Sequence, residues 1–293
     1  MGIAEYFETF NKQLRLSDEK EALKSKRFHV ITKRLNQDFY GSDSDTTHSF
    51  YTGSHGRGTD IYTSDIDMVF ILPNAEFYRY NSYSGNGQSS LLQMVRNSIK
   101  TTYPNTEIGG DGQVVVVEFS NGMKFEIVPS FKLDGGKEEL TYPDSNEGGF
   151  WRKMNPKDEI YVFQGADILS NYNLKRLCRM IREWNKTNYV FLPGALIDVM
   201  CFRFLEKYHY KDKSFLYYDY FTRDFMKYLI DNHEQEYWVM PISNWHVHRK
   251  YSFLSEANRA YNDALAAIEA YNKNQVYTAK KHWRNIYGSK FPD

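Results

Sequence analysis

The sequence predicts an α+β protein of two parts. One is a strand-bearing half at residues 1–165 that includes a long N-terminal helical region, and the other is a helical half at 166–293. Three observations predict it. Near the N-terminus, Ile3, Phe7, Phe10 and Leu14 recur at three- and four-residue steps, the spacing of one helix face. In the middle, short β-rich runs alternate with glycine and asparagine breaks. Past residue 167 the apolar spacing is helical almost throughout.

Taken in order, residues 3–39 read as two helices. Asp18 is a possible cap of the second, and Ala22, Leu23, Phe28, Ile31 and Leu35 form its apolar face. The run GSDSDTT ends that pattern. DMVFILP then reads as a strand stopped by Pro73, and residues 77–87 read as a loop. SSLLQMVRNSIKTTY is an amphipathic helix with Ser89 or Ser90 as cap. VVVVEF and KFEIVPSF flank Asn121-Gly122, the signature of a β-hairpin with a two-residue turn. The polar stretch 132–165 reads as a loop. Helices are expected at 167–186, 193–209, 216–232 and 254–286, with a loop around PISNWHVHRK.

Bulk properties narrow the function. In 293 residues, 41% are hydrophobic and 25% charged, enough for a sizeable core. Thirty-seven basic residues balance 37 acidic ones. Binding a long nucleic acid draws most of its affinity from neutralised phosphates, so this balance argues against a dedicated DNA or RNA binder. The two cysteines, Cys178 and Cys201, lie in apolar helical patterns and read as buried reduced thiols. No apolar run reaches the length of a membrane span, and the N-terminal residues do not form a signal peptide. A soluble, cytoplasmic protein is expected.

The stretch GSHGRGTDIYTSDIDMV, residues 53–69, holds the unusual chemistry. Alternate side chains of a strand share a face, so Asp65 and Asp67 project together. Two such carboxylates repel unless a cation lies between them, and Mg²⁺, a hard ion that takes oxygen ligands, is the natural candidate. By itself the pair also fits a capped strand start at the surface. Gly53-Ser54 shifts the balance, because a glycine turn with exposed amides and one hydroxyl can grip a phosphate. The stretch is neither a Walker A loop nor a dinucleotide fingerprint.

A third carboxylate would complete a two-metal site, and the hairpin offers Glu118 and Glu126. A two-residue Asn121-Gly122 turn pairs Ser120 with Met123 and sets Val117 opposite Glu126, leaving the two glutamates on opposite faces. Glu126, in the middle of an apolar strand, needs a partner there, which favours it as the ligand.

These residues resemble the nucleotidyltransferase superfamily of polymerase-β type: Gly53-Ser54, Asp65-Ile66-Asp67, and Phe125-Glu126-Ile127-Val128-Pro129. The fuller string looks most like the bacterial CD-NTases, relatives of cyclic GMP–AMP synthase and oligoadenylate synthase. NLKRLCRMIREWN and FLPGALIDVMCFRFL are similar to the paired helices of that family's helical half, and GFWRKMNP to a connecting segment. The resemblance implies a polymerase-β-like fold of two lobes. It implies a phosphate grip at Gly53 and Ser54, with Asp65, Asp67 and Glu126 as ligands for two Mg²⁺ ions, Mn²⁺ being a possible substitute. It also implies a triphosphate contact from Arg182, where relatives often carry lysine. Glu126 departs from the more frequent aspartate, and Gly194-Ala195 stands where relatives often show Ser-Tyr. Lys175, Arg176 and Arg179 share the helix of Arg182 and read equally as a solvated face.

The implied activity joins nucleoside triphosphates, ATP among them, into a cyclic di- or trinucleotide. A separate effector protein would read this product in anti-phage defence. The enzyme would act as a monomer in a bacterial cytoplasm without a membrane partner, and nothing in the sequence points strongly to DNA or RNA. Two alternatives remain at this level: nucleotidyl transfer to an external acceptor (an RNA end, a small molecule or a protein), and a nucleotide-binding sensor without turnover.

Overall fold

The computed structural model describes residues 2–133 and 138–293. Packing divides the chain into two units. One contains residues 17–57 and 63–160, the other residues 1–16, 58–62 and 161–293.

The first unit is built on a five-stranded sheet. Its strands are β1 (Ser49–Tyr51), β2 (Ile66–Ile71), β3 (Glu107–Asp111), β4 (Val114–Glu118) and β5 (Lys124–Ser130), in the spatial order β1-β2-β5-β4-β3. β2 and β5 run parallel and every other pair is antiparallel, so the sheet is mixed. Ile66, Met68, Phe70, Val115, Val117, Phe125 and Ile127 alternate along the strands and are buried in one core. That core also takes in Phe28, Ile31 and Leu35 of α2 (Asp18–Tyr40), and Leu91, Leu92, Val95 and Ile99 of α5 (Gly87–Thr102). Ser17 caps α2 and Gly41 ends it in a left-handed conformation. Asn86, rather than Ser89 or Ser90, caps α5, its side chain accepting from Ser89 N.

Three local expectations are corrected in this unit. Residues 74–81 form helix α4 (Asn74–Asn81), where Phe77 packs on Phe131 and Trp151. The 132–165 stretch contains an antiparallel pair, β6 (Leu140–Asp144) and β7 (Phe150–Met154), followed by helix α6 (Pro156–Leu169). Asp144 is buried and accepts from Arg152 Nε (2.6 Å), Gln113 Nε2 (2.8 Å) and Asn146. Those polar partners let a segment with little apolar content order.

The third correction is the β4–β5 turn. Phe119 N donates to Met123 O (3.0 Å) and Gly122 N to Phe119 O (2.8 Å), enclosing three residues with Gly122 at φ +80°. Val117 therefore stands opposite Phe125, Val116 opposite Glu126 and Glu118 opposite Lys124. The two-residue turn would have put Glu126 on the same face as Val117, inside the core. Slipping by one position keeps the carboxylate out. Glu118 and Glu126 consequently share a face.

The second unit is helical. It comprises α1 (Ile3–Gln13), the rest of α6, α7 (Asn173–Thr187), α8 (Gly194–Lys207), α9 (Tyr218–Asp231), α10 (Leu254–Asn272) and α11 (Val276–Tyr287). A small antiparallel pair, β8 (Tyr237–Val239) and β9 (His246–His248), occupies the segment read as a loop. Helix α1, grouped with the strand-bearing half on sequence, packs here instead: Phe7 meets Trp283 and Phe291, and Phe10 meets Tyr287. Ala257, Ala260, Ala264 and Ala267 form a buried stripe on α10, whose small side chains let α9 and α11 approach closely. Cys178 and Cys201 are free and buried. Among the described residues, no helix is long and apolar enough to cross a membrane.

Candidate active site

Strand alternation and strand pairing together assemble the carboxylates. β2 buries Ile66 and Met68, so Asp67 between them must face the opposite side of the sheet. β5 does the same with Phe125, Glu126 and Ile127. The parallel register sets Asp67 directly beside Glu126. Asp65, just before β2, joins them through Lys124: its Nζ is 2.6 Å from Glu126 Oε1 and 3.2 Å from Asp65 Oδ2. The hydrogen bond to Glu126, seconded by Asp65, raises the Lys124 pKa above its ordinary value.

The glycine-serine turn lies against the same carboxylates. Gly53 has φ +56°, in the left-handed region, and opens the short helix α3 (Gly53–Arg57). A Cβ at Gly53 would stand 2.0 Å from Asp67 Oδ2, so only glycine leaves room for that carboxylate. The backbone ties the two segments as well, with Thr52 N donating to Asp67 O (3.0 Å). Ser54 is buried on α3.

Gly53, Ser54, Asp65, Asp67 and Glu126 are thus brought together. Among the described residues, however, no three His, Cys, Asp or Glu side chains close on a single point as a metal cluster. The ammonium of Lys124 stands between Asp65 and Glu126. Sequence reading missed this residue, although the alternation in Lys124-Phe125-Glu126 already places the lysine on the carboxylate face.

Arg182, expected at a triphosphate, is engaged within the helical unit. Its Nη2 donates to Asp198 Oδ1 (2.7 Å) and to Gly194 O (3.1 Å), and Asp198 Oδ2 also accepts from Thr59 Oγ1 (2.9 Å). Asp198 and Thr59 are fully buried. A Cβ at Gly194 would lie 2.5 Å from Arg182 Nη1, which accounts for glycine at the head of α8. The Arg182 guanidinium is thus paired with Asp198 inside the helical unit. The neighbouring cations are partnered too. Lys175 is 3.5 Å from Asp167, Arg176 stacks over Phe215 at 4.8 Å, and Arg179 donates to the Gly58 and Asp60 carbonyls.

The family model for the second messenger oligonucleotide or dinucleotide synthetase domain matches residues 1–166, which include every carboxylate of this constellation. The chain belongs to that family, the bacterial CD-NTases. It is a nucleotidyltransferase, and the synthesis of cyclic oligonucleotides is its activity.

The fold agrees. Apo DncV of Vibrio cholerae superposes with a TM-score of 0.77 at 14% identity, over 99% of this chain and 96% of that one. CdnC of E. coli MS115-1, solved with ATP, gives 0.71 at 17% identity over 99% of both chains. CdnG of Bradyrhizobium diazoefficiens, solved with GTP, gives 0.69 at 10% identity over 99% and 96%. No curated protein matches the chain in sequence.

Proposed function

We propose that this CD-NTase joins nucleoside triphosphates at the constellation of Gly53, Ser54, Asp65, Asp67 and Glu126, and that its cyclic product signals to a separate effector protein in anti-phage defence. The observation that carries the site is the juxtaposition of Asp67 and Glu126 in the β2–β5 register, with Gly53 cleared for the Asp67 carboxylate.

The side chains fit a hard divalent cation. All the donors are carboxylate oxygens, and the ammonium of Lys124 marks a point where Asp65 and Glu126 already hold one positive charge. Asp65, Asp67 and Glu126 would hold Mg²⁺, with Mn²⁺ as substitute, once Lys124 withdraws. When bound, the metal neutralises phosphate charge and activates the attacking hydroxyl. Ser54 Oγ and the amides of its turn hold the donor's terminal phosphates. This aligns the α-phosphorus with the acceptor ribose hydroxyl, and pyrophosphate leaves. Asp67, adjacent to both the turn and Glu126, positions the reacting groups most directly.

ATP and GTP are the first substrates to test, because two neighbours of the same fold were solved with them. The reading places the enzyme in a bacterial cytoplasm, where triphosphates are made, and takes it as a monomer. The test combines Asp65→Asn with Asp67→Asn. The double variant should keep the wild-type melting curve yet release no pyrophosphate from mixed NTPs, whereas the wild type yields phosphatase-resistant products. Undiminished turnover in the variant would refute the site. Products only in the presence of an added acceptor would favour external transfer over cyclisation.

A further inference from the structure

Between the phosphate turn and the aspartate strand the chain leaves the sheet unit. Residues Gly58–Tyr62 belong by packing to the helical unit, whereas Gly53–Arg57 before them and Asp65–Asp67 after them belong to the sheet unit. Side chains of α7 and α8 hold this five-residue strap along its whole length. Arg179 Nη2 donates to Gly58 O (2.6 Å) and Arg179 Nε to Asp60 O (3.2 Å). Thr59 Oγ1 donates to Asp198 Oδ2 (2.9 Å), while Arg182 holds the other oxygen of that carboxylate. Ile61 is buried in the helical core. Tyr62 N donates to Leu14 O (3.0 Å), and the Tyr62 hydroxyl donates to Glu183 Oε1 (3.2 Å) and accepts from Lys186. Gly58 is left-handed at φ +71°, and a Cβ there would come within 3.2 Å of the Lys175 stem.

Backbone carbonyls in a loop are ordinarily satisfied by water or by their own turn. A guanidinium that takes two carbonyls in alternate positions of one segment fixes that segment's path. A fully buried threonine hydroxyl shared with a charged pair fixes its registration. The ends of this strap lead into the groups whose spacing the chemistry requires. We infer that Arg179 and Thr59 are positioning residues for nucleotidyl transfer: by holding Gly58–Tyr62, they fix, together with the Thr52–Asp67 backbone bond, the span between the Gly53-Ser54 turn and Asp65–Asp67. The inference rests on the site reading given above. It also assigns the cationic face of α7 a task other than binding phosphate.

Misplacement of reacting groups by about 1 Å costs on the order of 10²-fold in rate. Arg179→Gln should therefore lower kcat by about ten- to a hundredfold, with the KM for ATP moving less than about threefold. Arg179→Lys, which can still reach one carbonyl, should fall between the two. Thr59→Val should lose about tenfold in kcat, and Thr59→Ser, which keeps the hydroxyl, should match the wild type. Tyr287→Phe is the stability control, since it removes a buried hydroxyl bonded to Thr222 far along the chain. Its Tm should fall while kcat holds.

Wild-type kcat in Arg179→Gln and Thr59→Val, with Asp67→Asn inactive, would overturn the positioning role and leave the site reading intact. A kcat loss in Tyr287→Phe equal to that of Thr59→Val would show that the effect is loss of fold alone. Turnover in Asp67→Asn would instead remove the site reading on which the inference stands. If Arg179→Gln does not fold, the Thr59 pair decides.

Discussion

Gly53→Ala separates strain from active-site geometry in a single methyl group. The residue sits at φ +56°, so alanine incurs a left-handed penalty of about 1–2 kcal/mol wherever it is placed. Gly41, at the end of α2, has nearly the same backbone (φ +61°) with nothing within 4 Å of a built Cβ. Gly41→Ala therefore measures the strain alone. At Gly53 the new carbon would also stand 2.0 Å from Asp67 Oδ2 and 2.7 Å from Cγ, against ordinary contacts of 3.4 Å or more. The obstacle is the head of a carboxylate anchored through its backbone to Thr52, so the carboxylate must retreat by more than about 1 Å or the turn must open.

Gly41→Ala should lose a few degrees in Tm, about 2–4 °C per kcal/mol for a chain of this size, and Gly53→Ala at least as much. Only Gly53→Ala should lose turnover, by on the order of 10²-fold in pyrophosphate release at saturating NTP. Gly53→Ala with kcat within about threefold of Gly41→Ala would refute the reasoning, because the Asp67 carboxylate would then tolerate a displacement the chemistry is argued to forbid.

Two further outcomes follow from charged groups. Lys124→Met removes the ammonium between Asp65 and Glu126, so Mn²⁺ titrated into the protein without nucleotide should bind several-fold more tightly; weaker binding would show that Lys124 does not compete with the metal. Burial pushes the Asp219 carboxyl up to about 6, against its amide contact from Tyr220. The folded protein then keeps a proton that the unfolded chain sheds near pH 4, so stability should fall as pH rises from about 4 to 6 and level off above. Asp219→Asn should flatten Tm across that window, and an unchanged slope would assign the effect to other groups.

What the sequence disclosed and what it hid divide along the distance between interacting residues. The 3.6-residue spacing of Ile3, Phe7, Phe10 and Leu14 marked α1, and the period-two runs marked β2, β4 and β5, because each is a local pattern. No local pattern says that α1 buries that face against Trp283 and Phe291, or that β2 pairs in parallel with β5. Asn121-Gly122 announced a turn but not its length, and the core's exclusion of Glu126 selected three residues over two. Helix α4 and the β6–β7 pair went unread because Phe77 and Asp144 draw their stability from partners well removed in sequence.

One rule served both halves of the protein and meant different things in each. A carboxylate within an apolar run needs a partner, and on that ground Glu126 stood out in KFEIVP. Asp198, in ALIDVMCF, meets the same criterion. Its partner is Arg182, with side chains 0% and 11% exposed, and the pair is further closed by Thr59. Breaking such a pair leaves a buried charge and costs about 3–5 kcal/mol. The partner of Glu126 is Lys124, with side chains 26% and 30% exposed. Solvent reaches this pair, so opening it to another cation costs less than breaking the buried one. The apolar context of a carboxylate thus finds both groups, and the accessibility of its partner separates the buried pair bonded to Thr59 from the pair that solvent reaches.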